Sequence, residues 1–286
     1  MIPAAFDYTA PASVADALTA LGSDSEEIKV LAGGQSLIPV LRLRLAAPTL
    51  LVDISRIEEL SGITDEGGYL VIGAMTTHAE VADSDLVKEH AGLLAKAAET
   101  VADPQVRHRG TLGGALVHAD PAGDLPAPIL ALDAELVIAG ADGERTVSAA
   151  DFFEDLFTTA VGENELLIKI RVPKHTGWRG HYEKFTRVAQ QWSIVAVAAA
   201  VKTDGKTISE AKLALTNMGS TAIRATAVEQ ALIGQPASAD VVKAAAAQAA
   251  AGTNPPTDTN GTAGYRRHLA TVLTGRAVLS AAGATG

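Results

Sequence analysis

The sequence predicts an α+β protein of two domains, and three observations carry that prediction. Over residues 1–175, short apolar runs of strand length alternate with helix-like runs, whereas after residue 176 strand-like runs come first and helix-like runs follow. The chain has 286 residues, which is long for a single core. The segment Pro173-Lys174-His175-Thr176-Gly177 breaks the pattern between the two parts. We therefore expect one domain over residues 1–175 and a smaller one over residues 176–286.

Turns, caps and apolar runs predict the elements of the first domain. Ser13 and Gly22 bound the first helix, at residues 14–21. Buried strands are predicted where short apolar runs meet turns, at residues 28–31, 49–52 and 166–172. Hairpins are predicted at residues 63–72 and 135–147, each around an acidic residue followed by glycine. Further helices are predicted at residues 37–45, after Thr76 or Thr77, and at 92–102, 125–132 and 149–153, with a loop at 103–109.

The second domain reads as strands followed by helices. Three antiparallel strands are predicted at residues 180–185, 193–201 and 209–215, the last two joined through Asp204-Gly205. Helices are predicted at residues 223–233, 239–251 and 263–281, with a loop at 253–262.

Composition excludes several classes of function. The net charge is −10 with no basic cluster, which argues against nucleic-acid binding. No apolar run reaches the ~20 residues of a membrane span, and residues 1–20 lack the pattern of a signal peptide, so a cytoplasmic location is expected. The chain has no cysteine and therefore cannot itself ligate an iron–sulfur cluster, form a disulfide or use a thiol nucleophile.

Two glycine turns are the candidate site. They are Ala32-Gly33-Gly34-Gln35-Ser36 and Gly110-Thr111-Leu112-Gly113-Gly114. Glycine leaves room for a group approaching the backbone, and a turn that leads a strand into a helix directs amide N–H groups and the helix dipole at an anion. Either turn alone is an ordinary structural feature, since neither fits the dinucleotide or Walker pattern. Together they predict one phosphate-bearing cofactor held between them.

Several polar residues near these turns invite a chemical role. Thr111 can donate to a phosphate, and Asp124 is either a helix N-cap or an acceptor for sugar hydroxyls. The simplest interpretation of Lys184 is a charge on the surface. The simplest interpretation of Trp192 is packing in the core, although its polar neighbours indicate a position near an opening. His118, Asp120 and Asp124 lie close in sequence but match no metal-binding spacing, and no nucleophile elbow occurs.

Six ordered motifs extend this interpretation over the whole chain. They are Ala32-Gly33-Gly34-Gln35-Ser36-Leu37-Ile38-Pro39, Gly73-Ala74-Met75-Thr76-Thr77-His78, Ala102-Asp103-Pro104-Gln105-Val106-Arg107, Gly110-Thr111-Leu112-Gly113-Gly114, Asp120-Pro121-Ala122-Gly123-Asp124 and Gly264-Tyr265-Arg266. By these motifs the chain resembles the FAD-binding medium subunits of the molybdenum hydroxylase (xanthine dehydrogenase) family, and most closely those of aerobic carbon monoxide dehydrogenases.

The resemblance implies a fold and a set of cofactor contacts. The fold would be a PCMH-type (vanillyl-alcohol-oxidase-like) FAD-binding domain, with subdomains of about 1–55 and 56–175, and then the smaller domain. The pyrophosphate of FAD would lie against the two turns, Asp124 would bind a sugar or ribityl hydroxyl, and Leu167, Lys184 and Trp192 would lie near the rings. The residues implied to bind FAD are Leu31, Ala32, Gly33, Gly34, Gln35, Ser36, Leu37, Thr76, Thr111, Gly113, Gly114, Ala115, Asp124, Leu167, Lys184 and Trp192.

The resemblance also implies partners. Molybdopterin would lie in a large subunit and [2Fe-2S] clusters in a small one, in a dimer of heterotrimers, so that this chain would pass electrons from the clusters to an external acceptor during oxidation of CO to CO2. A purine, aldehyde or N-heteroaromatic hydroxylase and a flavin-free scaffold subunit are the alternatives. Ala115 where the family often has Asn, Gln190-Gln191 in place of Gly-Asp, and Trp192 in place of Tyr are departures from the family pattern.

Overall fold

The computed structural model describes residues 2–23 and 27–284. The strands are β1 (Asp7–Thr9), β2 (Ile28–Leu31), β3 (Leu50–Asp53), β4 (Ile63–Glu66), β5 (Tyr69–Gly73), β6 (Glu135–Gly140), β7 (Gly143–Ser148), β8 (Phe153–Asp155), β9 (Thr158–Thr159), β10 (Leu166–Pro173), β11 (Arg179–Phe185), β12 (Val195–Asp204), β13 (Thr207–Thr216) and β14 (Ile223–Arg224). The α-helices are α1 (Val14–Leu21), α2 (Leu37–Arg42), α3 (His78–Asp83), α4 (Asp85–His90), α5 (Gly92–Glu99), α6 (Pro104–Arg107), α7 (Leu112–His118), α8 (Pro126–Ala131), α9 (Ala149–Phe152), α10 (Thr226–Leu232), α11 (Ala239–Ala246) and α12 (Ala263–Ala282). A 3₁₀ turn occupies Glu58–Leu60.

Three sheets, each with its own topology, form the framework. The first is parallel, in the order β1-β3-β2. The second is antiparallel, in the order β4-β5-β10-β6-β7, and the third is antiparallel, in the order β11-β12-β13-β14. Strands β8 and β9 form a small separate hairpin.

The sheets are stacked through three apolar layers. One face of the second sheet packs against the first sheet and α1, through residues that include Val52 and Ile168. Its other face packs with the helices of the 74–132 segment and with the third sheet. The outer face of the third sheet is covered by α10, α11 and α12. The third sheet therefore joins the two parts of the chain into one stack.

Strand β12 shows how the sequence produces this layering. Successive side chains on a strand point to opposite faces. Ala196, Ala198 and Ala200 accordingly lie in the central layer, whereas the valines that alternate with them, Val195, Val197 and Val201, lie against the C-terminal helices. The alanine face lets the first domain approach closely. Gly180 of β11 comes so near α5 that an added Cβ would lie 2.7 Å from the Leu93 backbone.

The α+β class is confirmed, and most predicted elements are present within a residue or two of their expected bounds. Strands β1, β8 and β9 were not predicted, and helices α2, α5 and α11 end three to five residues before their predicted ends. Three further differences can be described by their local contacts. The segment 103–109 is not only a loop, because Asp103 caps the short helix α6 and Pro104 starts it. Helix α4, capped by Ser84, was not predicted. Residues 223–224 do not begin a helix but form β14, so the sheet predicted with three strands has a short fourth one at its edge.

Candidate functional site

The two glycine turns lie in direct contact. A Cβ added to Gly33 would lie 2.1 Å from the carbonyl oxygen of Arg109 and 2.8 Å from the Cα of Gly110. A Cβ added to Gly114 would lie 3.5 Å from the Cβ of Ala32. The close approach at Gly33 leaves no room for a Cβ, whereas the 3.5 Å at Gly114 is an ordinary van der Waals contact. The turns that the sequence singled out therefore converge in space.

The first turn leaves backbone donors unused. Gly34 has φ +75°, a left-handed conformation that favours glycine, and it carries the chain from β2 towards α2. Within residues 2–23 and 27–284, the amides of Gly33, Gly34, Gln35 and Ser36 have no protein acceptor. The Ser36 hydroxyl makes no capping bond to α2, and Gln35 Nε2 donates to the Gly33 carbonyl at 3.4 Å. Leu31 and Leu37 flank the turn and are half-buried.

The second turn is built differently from the prediction. It follows helix α6 rather than a strand, and the first amides of α7 are largely used within the protein. The Leu112 amide donates to the Thr76 carbonyl at 2.9 Å, and the Gly113 amide to the Ala74 carbonyl at 2.8 Å. The Gly114 amide donates to Thr111 Oγ1 at 3.2 Å. The hydroxyl proton of Thr111 has no acceptor among the described residues, so this turn offers a hydroxyl donor rather than a row of amides.

The 73–78 segment holds the second turn in place. Thr77 caps α3 in a capping box with Glu80, and Thr77 and Thr111 form an isolated antiparallel bridge. Thr76 is fully buried, and its hydroxyl exchanges two hydrogen bonds of 3.1 Å with the backbone of Gly62. Thr76, predicted as a cofactor contact, therefore has its hydroxyl committed to the protein.

His78 lies beneath the second turn and did not enter the predicted site. Its ring atoms Cδ2 and Nε2 would each be 2.9 Å from a Cβ placed on Gly110, and its buried Nδ1 has no hydrogen-bond partner in the part of the chain that the structure describes. Burial, together with the charge of Arg107, lowers the pKa of His78 to about 4. The imidazole is therefore neutral at physiological pH. The only indication of His78 in the sequence was its place at the end of the family motif Gly73-Ala74-Met75-Thr76-Thr77-His78.

Asp124 forms the centre of a buried network rather than a helix cap. Helix α8 has Leu125 as its N-cap and no side-chain capping bond, so that interpretation of Asp124 was wrong. Its Oδ2 accepts from Lys184 Nζ at 2.7 Å, and its Oδ1 accepts from Tyr182 Oη at 3.0 Å and Ser193 Oγ at 2.8 Å. A carboxylate has about four acceptor positions, so one remains for a further donor.

The electrostatics of this network follow from its burial. Asp124 is 5% exposed, and burial raises the pKa of its carboxyl while the ammonium of Lys184 opposes the rise. Burial and the nearby carboxylate also raise the pKa of the Tyr182 hydroxyl well above its ordinary value. Lys184 additionally donates to the Thr100 carbonyl at 3.1 Å, so it joins the two parts of the chain. Tyr182 was missed, although it lies two residues before Lys184 on one strand and therefore on the same face.

The remaining predicted residues are spread around these features. Leu167 is 2% exposed in the central core, beside the register shift of β10 against β6. Ala115 is half-buried on α7. Trp192 is 52% exposed, immediately before the buried Ser193. The structure thus brings the two turns together and joins Asp124 to Lys184, whereas Trp192 contributes a ring that is open to solvent.

Comparison with known proteins identifies the family. Residues 4–175 match the FAD-binding domain of molybdopterin dehydrogenases, and residues 180–281 match the C-terminal domain of carbon monoxide dehydrogenase flavoproteins. The chain belongs to this family. It is 42% identical to the carbon monoxide dehydrogenase medium chain of Hydrogenophaga pseudoflava, over 98% of each chain. It is 38% identical to the glyceraldehyde dehydrogenase medium chain of Sulfolobus acidocaldarius, over 97% of this chain and 98% of that one.

A solved structure agrees with the sequence relatives. The fold matches reconstituted carbon monoxide dehydrogenase from Oligotropha carboxidovorans with a TM-score of 0.96 and 37% identity, over the full length of both chains. Among the described residues, no helix is long and apolar enough to cross a membrane. In the same ranges, no group of three His, Cys, Asp or Glu side chains is placed to hold a metal ion.

Proposed function

We propose that this chain is the flavoprotein subunit of a molybdenum-containing dehydrogenase, in which it binds one FAD and passes electrons from the iron–sulfur clusters of a partner subunit to an external acceptor. The observation that carries the proposal is the contact between the two glycine turns. It combines unused amides at Gly33 to Ser36 with the free hydroxyl proton of Thr111.

These donors suit a pyrophosphate. An anion near a turn is stabilised by backbone N–H groups that point at it, and glycine allows its oxygens to approach closely. Leu31, Ala32, Gln35 and Leu37 complete the first side of this cradle. Gly113, Gly114 and Ala115 complete the second. Thr76 supports the second turn from within the protein, since its hydroxyl is bonded to the backbone of Gly62 and does not donate to the cofactor.

The buried network suits the polar middle of the cofactor. Asp124 has one acceptor position left for a sugar or ribityl hydroxyl, and Lys184 fixes the carboxylate from the other domain. Leu167, which is buried in the central core, is proposed as an apolar contact at the edge of the site, and Trp192 offers an exposed ring face for stacking. We propose a division of the chain into residues 1–175 and 176–286, with the first part subdivided near residue 55. The bond between Asp124 and Lys184, which lie on opposite sides of this division, supports it.

When bound, FAD would supply the redox chemistry. The chain has no cysteine and therefore cannot itself ligate an iron–sulfur cluster. The residues of this chain bind the cofactor, orient it and limit the access of water. Medium chains of this family work in complexes with other subunits. The partners proposed here are a large molybdenum subunit and a small iron–sulfur subunit, in a dimer of heterotrimers located in the cytoplasm.

The proposed substrate of the complex is CO. It is supported by the 42% identity to a carbon monoxide dehydrogenase medium chain and by the TM-score of 0.96 to a carbon monoxide dehydrogenase. Aldehyde oxidation is the second candidate, since a glyceraldehyde dehydrogenase medium chain is 38% identical over nearly the same length.

The test is reconstitution of the complex. The purified chain is assayed with CO and a dye acceptor, first alone and then with the molybdenum and iron–sulfur subunits from the same host, with glyceraldehyde as a parallel substrate. We expect no dye reduction by the chain alone and CO-dependent reduction by the complex. Substrate-dependent reduction by the metal-free chain would overturn the proposed division of labour, and reduction by glyceraldehyde but not CO would favour the second candidate.

A further inference from the structure

The loop at residues 186–193, between β11 and β12, is fastened to the first domain on both sides of Trp192. On the inner side, buried Ser193 Oγ donates to Asp124 at 2.8 Å. On the outer side, Gln190 Nε2 donates to Asp103 Oδ2 at 2.6 Å. Both acceptors belong to the first domain, so the loop that carries Trp192 closes the seam between the two domains.

The outer attachment connects directly to the second glycine turn. Asp103 uses its other oxygen, Oδ1, to cap α6 by accepting from the Val106 amide at 2.9 Å. Helix α6 leads to Arg109 and Gly110, whose backbone packs against Gly33. Asp103 therefore connects Gln190, through helix α6, to the place where the two glycine turns meet.

The two attachments differ in strength. Ser193 and Asp124 are 1% and 5% exposed, and they share the network with Lys184 and Tyr182. Gln190 is exposed, and its partner Asp103 is half-buried. Solvent competes for an exposed hydrogen bond, whereas breaking a buried one leaves polar groups unpaired. The outer attachment is consequently the one that opens first.

The far side of the loop remains held while the outer attachment opens. Gln191 Nε2 donates to Asn260 Oδ1 at 3.0 Å, and Gln191 Oε1 accepts from the Arg187 amide at 3.0 Å. The backbone amide of Asn260 donates to Asp258 Oδ1. Both carboxylate oxygens of Asp258 accept from the fully buried Arg266 at 2.8 Å. When the outer attachment opens, the loop thus stays tied to its own domain through Gln191 and to Asp124 through Ser193, and only its Gln190 side is free to move.

We propose that Gln190 is a positioning residue whose hydrogen bond to Asp103 fastens the Trp192 loop over the cofactor seam, and that opening of this bond is the step through which FAD enters and leaves. The proposal rests on FAD binding at the seam, as proposed above. It assigns to Gln190 a role that depends on a neutral amide, because a carboxylate at this position would face Asp103 with like charge.

The experiment compares FAD release from the wild-type chain and from Gln190→Ala, Gln190→Glu, Asp103→Asn and the double variant Gln190→Glu/Asp103→Asn. Gln230→Ala and Gln230→Glu are the controls, since Gln230 is an exposed glutamine on α10. Release is followed by flavin fluorescence after dilution.

We expect Gln190→Ala to release FAD about fivefold faster, which corresponds to one hydrogen bond of about 1 kcal/mol. Gln190→Glu should be faster still, and the double variant, in which an Asn amide can donate to the new carboxylate, should return to within about twofold of wild type.

A second readout does not need FAD. In a Trp178→Phe background Trp192 is the only tryptophan, and acrylamide quenching of its fluorescence reports how open the loop is. We expect more quenching in Gln190→Glu and recovery in the double variant. Release rates and quenching that match the Gln230 controls, or a double variant as open as Gln190→Glu, would overturn the proposal. A wild-type chain that binds no FAD but shows the quenching pattern would overturn the proposed function while keeping the Gln190 attachment.

Discussion

At the scale of single residues, replacement of Asp124 removes three hydrogen bonds of a buried network. Asp124 holds Lys184 from the second domain, and Lys184 is itself largely buried. Removing one partner of a buried ion pair leaves the other charge unpaired, at a cost of about 3–5 kcal/mol. We therefore expect Asp124→Ala to lower the free energy of unfolding by that amount in urea denaturation. The folded fraction should bind FAD about ten- to a hundredfold more weakly.

The matched control is Asp240→Ala, which removes an exposed carboxylate from the first turn of α11. It should change the free energy of unfolding by about 0.5 kcal/mol or less. If Asp124→Ala unfolded at the same urea concentration as Asp240→Ala, the network would contribute nothing to stability.

His78 predicts a pH dependence of stability. Its pKa in the folded chain is about 4, below the value of about 6.5 in the unfolded chain. Between these values the unfolded chain binds a proton that the folded chain does not, so stability rises with pH across this window. The contribution of the neutral imidazole is complete above pH 6.5 and is lost as the pH falls towards 4, by about 3 kcal/mol.

The measurement is the free energy of unfolding from pH 4 to 7.5 for the wild type and for His78→Gln, which cannot titrate. We expect the wild-type curve to fall more steeply below pH 6.5, with the difference attributable to His78. Parallel curves would show that the histidine titrates normally in the folded chain.

At the scale of elements, the contact between the two turns predicts the effect of a single methyl group. In Gly33→Ala the new Cβ would meet the Arg109 carbonyl oxygen at 2.1 Å, so the turns must move apart. We expect the variant to keep its far-UV circular dichroism and to lose FAD binding in titration. Gly92→Ala is the control, because no atom of the described residues lies within 4 Å of a Cβ placed there. Equal FAD affinity in both variants would show that FAD does not bind at the two turns.

The elements also show what sequence can predict and where tertiary contacts decide. Ser13 and the Thr76-Thr77 pair are local signals, and the helices that they predict are present. The partners of Asp124 depend on contacts 58 to 69 residues away, which no local pattern contains. The sequence predicts a helix that begins at residue 223, but pairing of residues 223–224 with β13 makes them a strand. Assignment of the glycine turns to FAD came from family motifs, since their spacing alone fits an ordinary turn equally well.

At the scale of the whole molecule, the third sheet explains why a flavoprotein subunit of this kind is a single stack. One face of β12 belongs to the central layer and the other to the C-terminal helices. The Asp124–Lys184 pair and the Gln190–Asp103 bond cross the same seam. Cofactor binding at that seam should therefore stabilise both domains together, and one cooperative thermal transition is expected to shift upward with FAD concentration.

The central claim is that this metal-free chain carries FAD, and a titration of the purified chain with FAD tests it most directly. Flavin absorbance that elutes with the protein in size-exclusion chromatography is measured alongside iron and molybdenum content. We predict saturation at one FAD per chain with neither metal present. A chain that remains colourless after incubation with excess FAD, or that contains stoichiometric iron or molybdenum, would contradict the account.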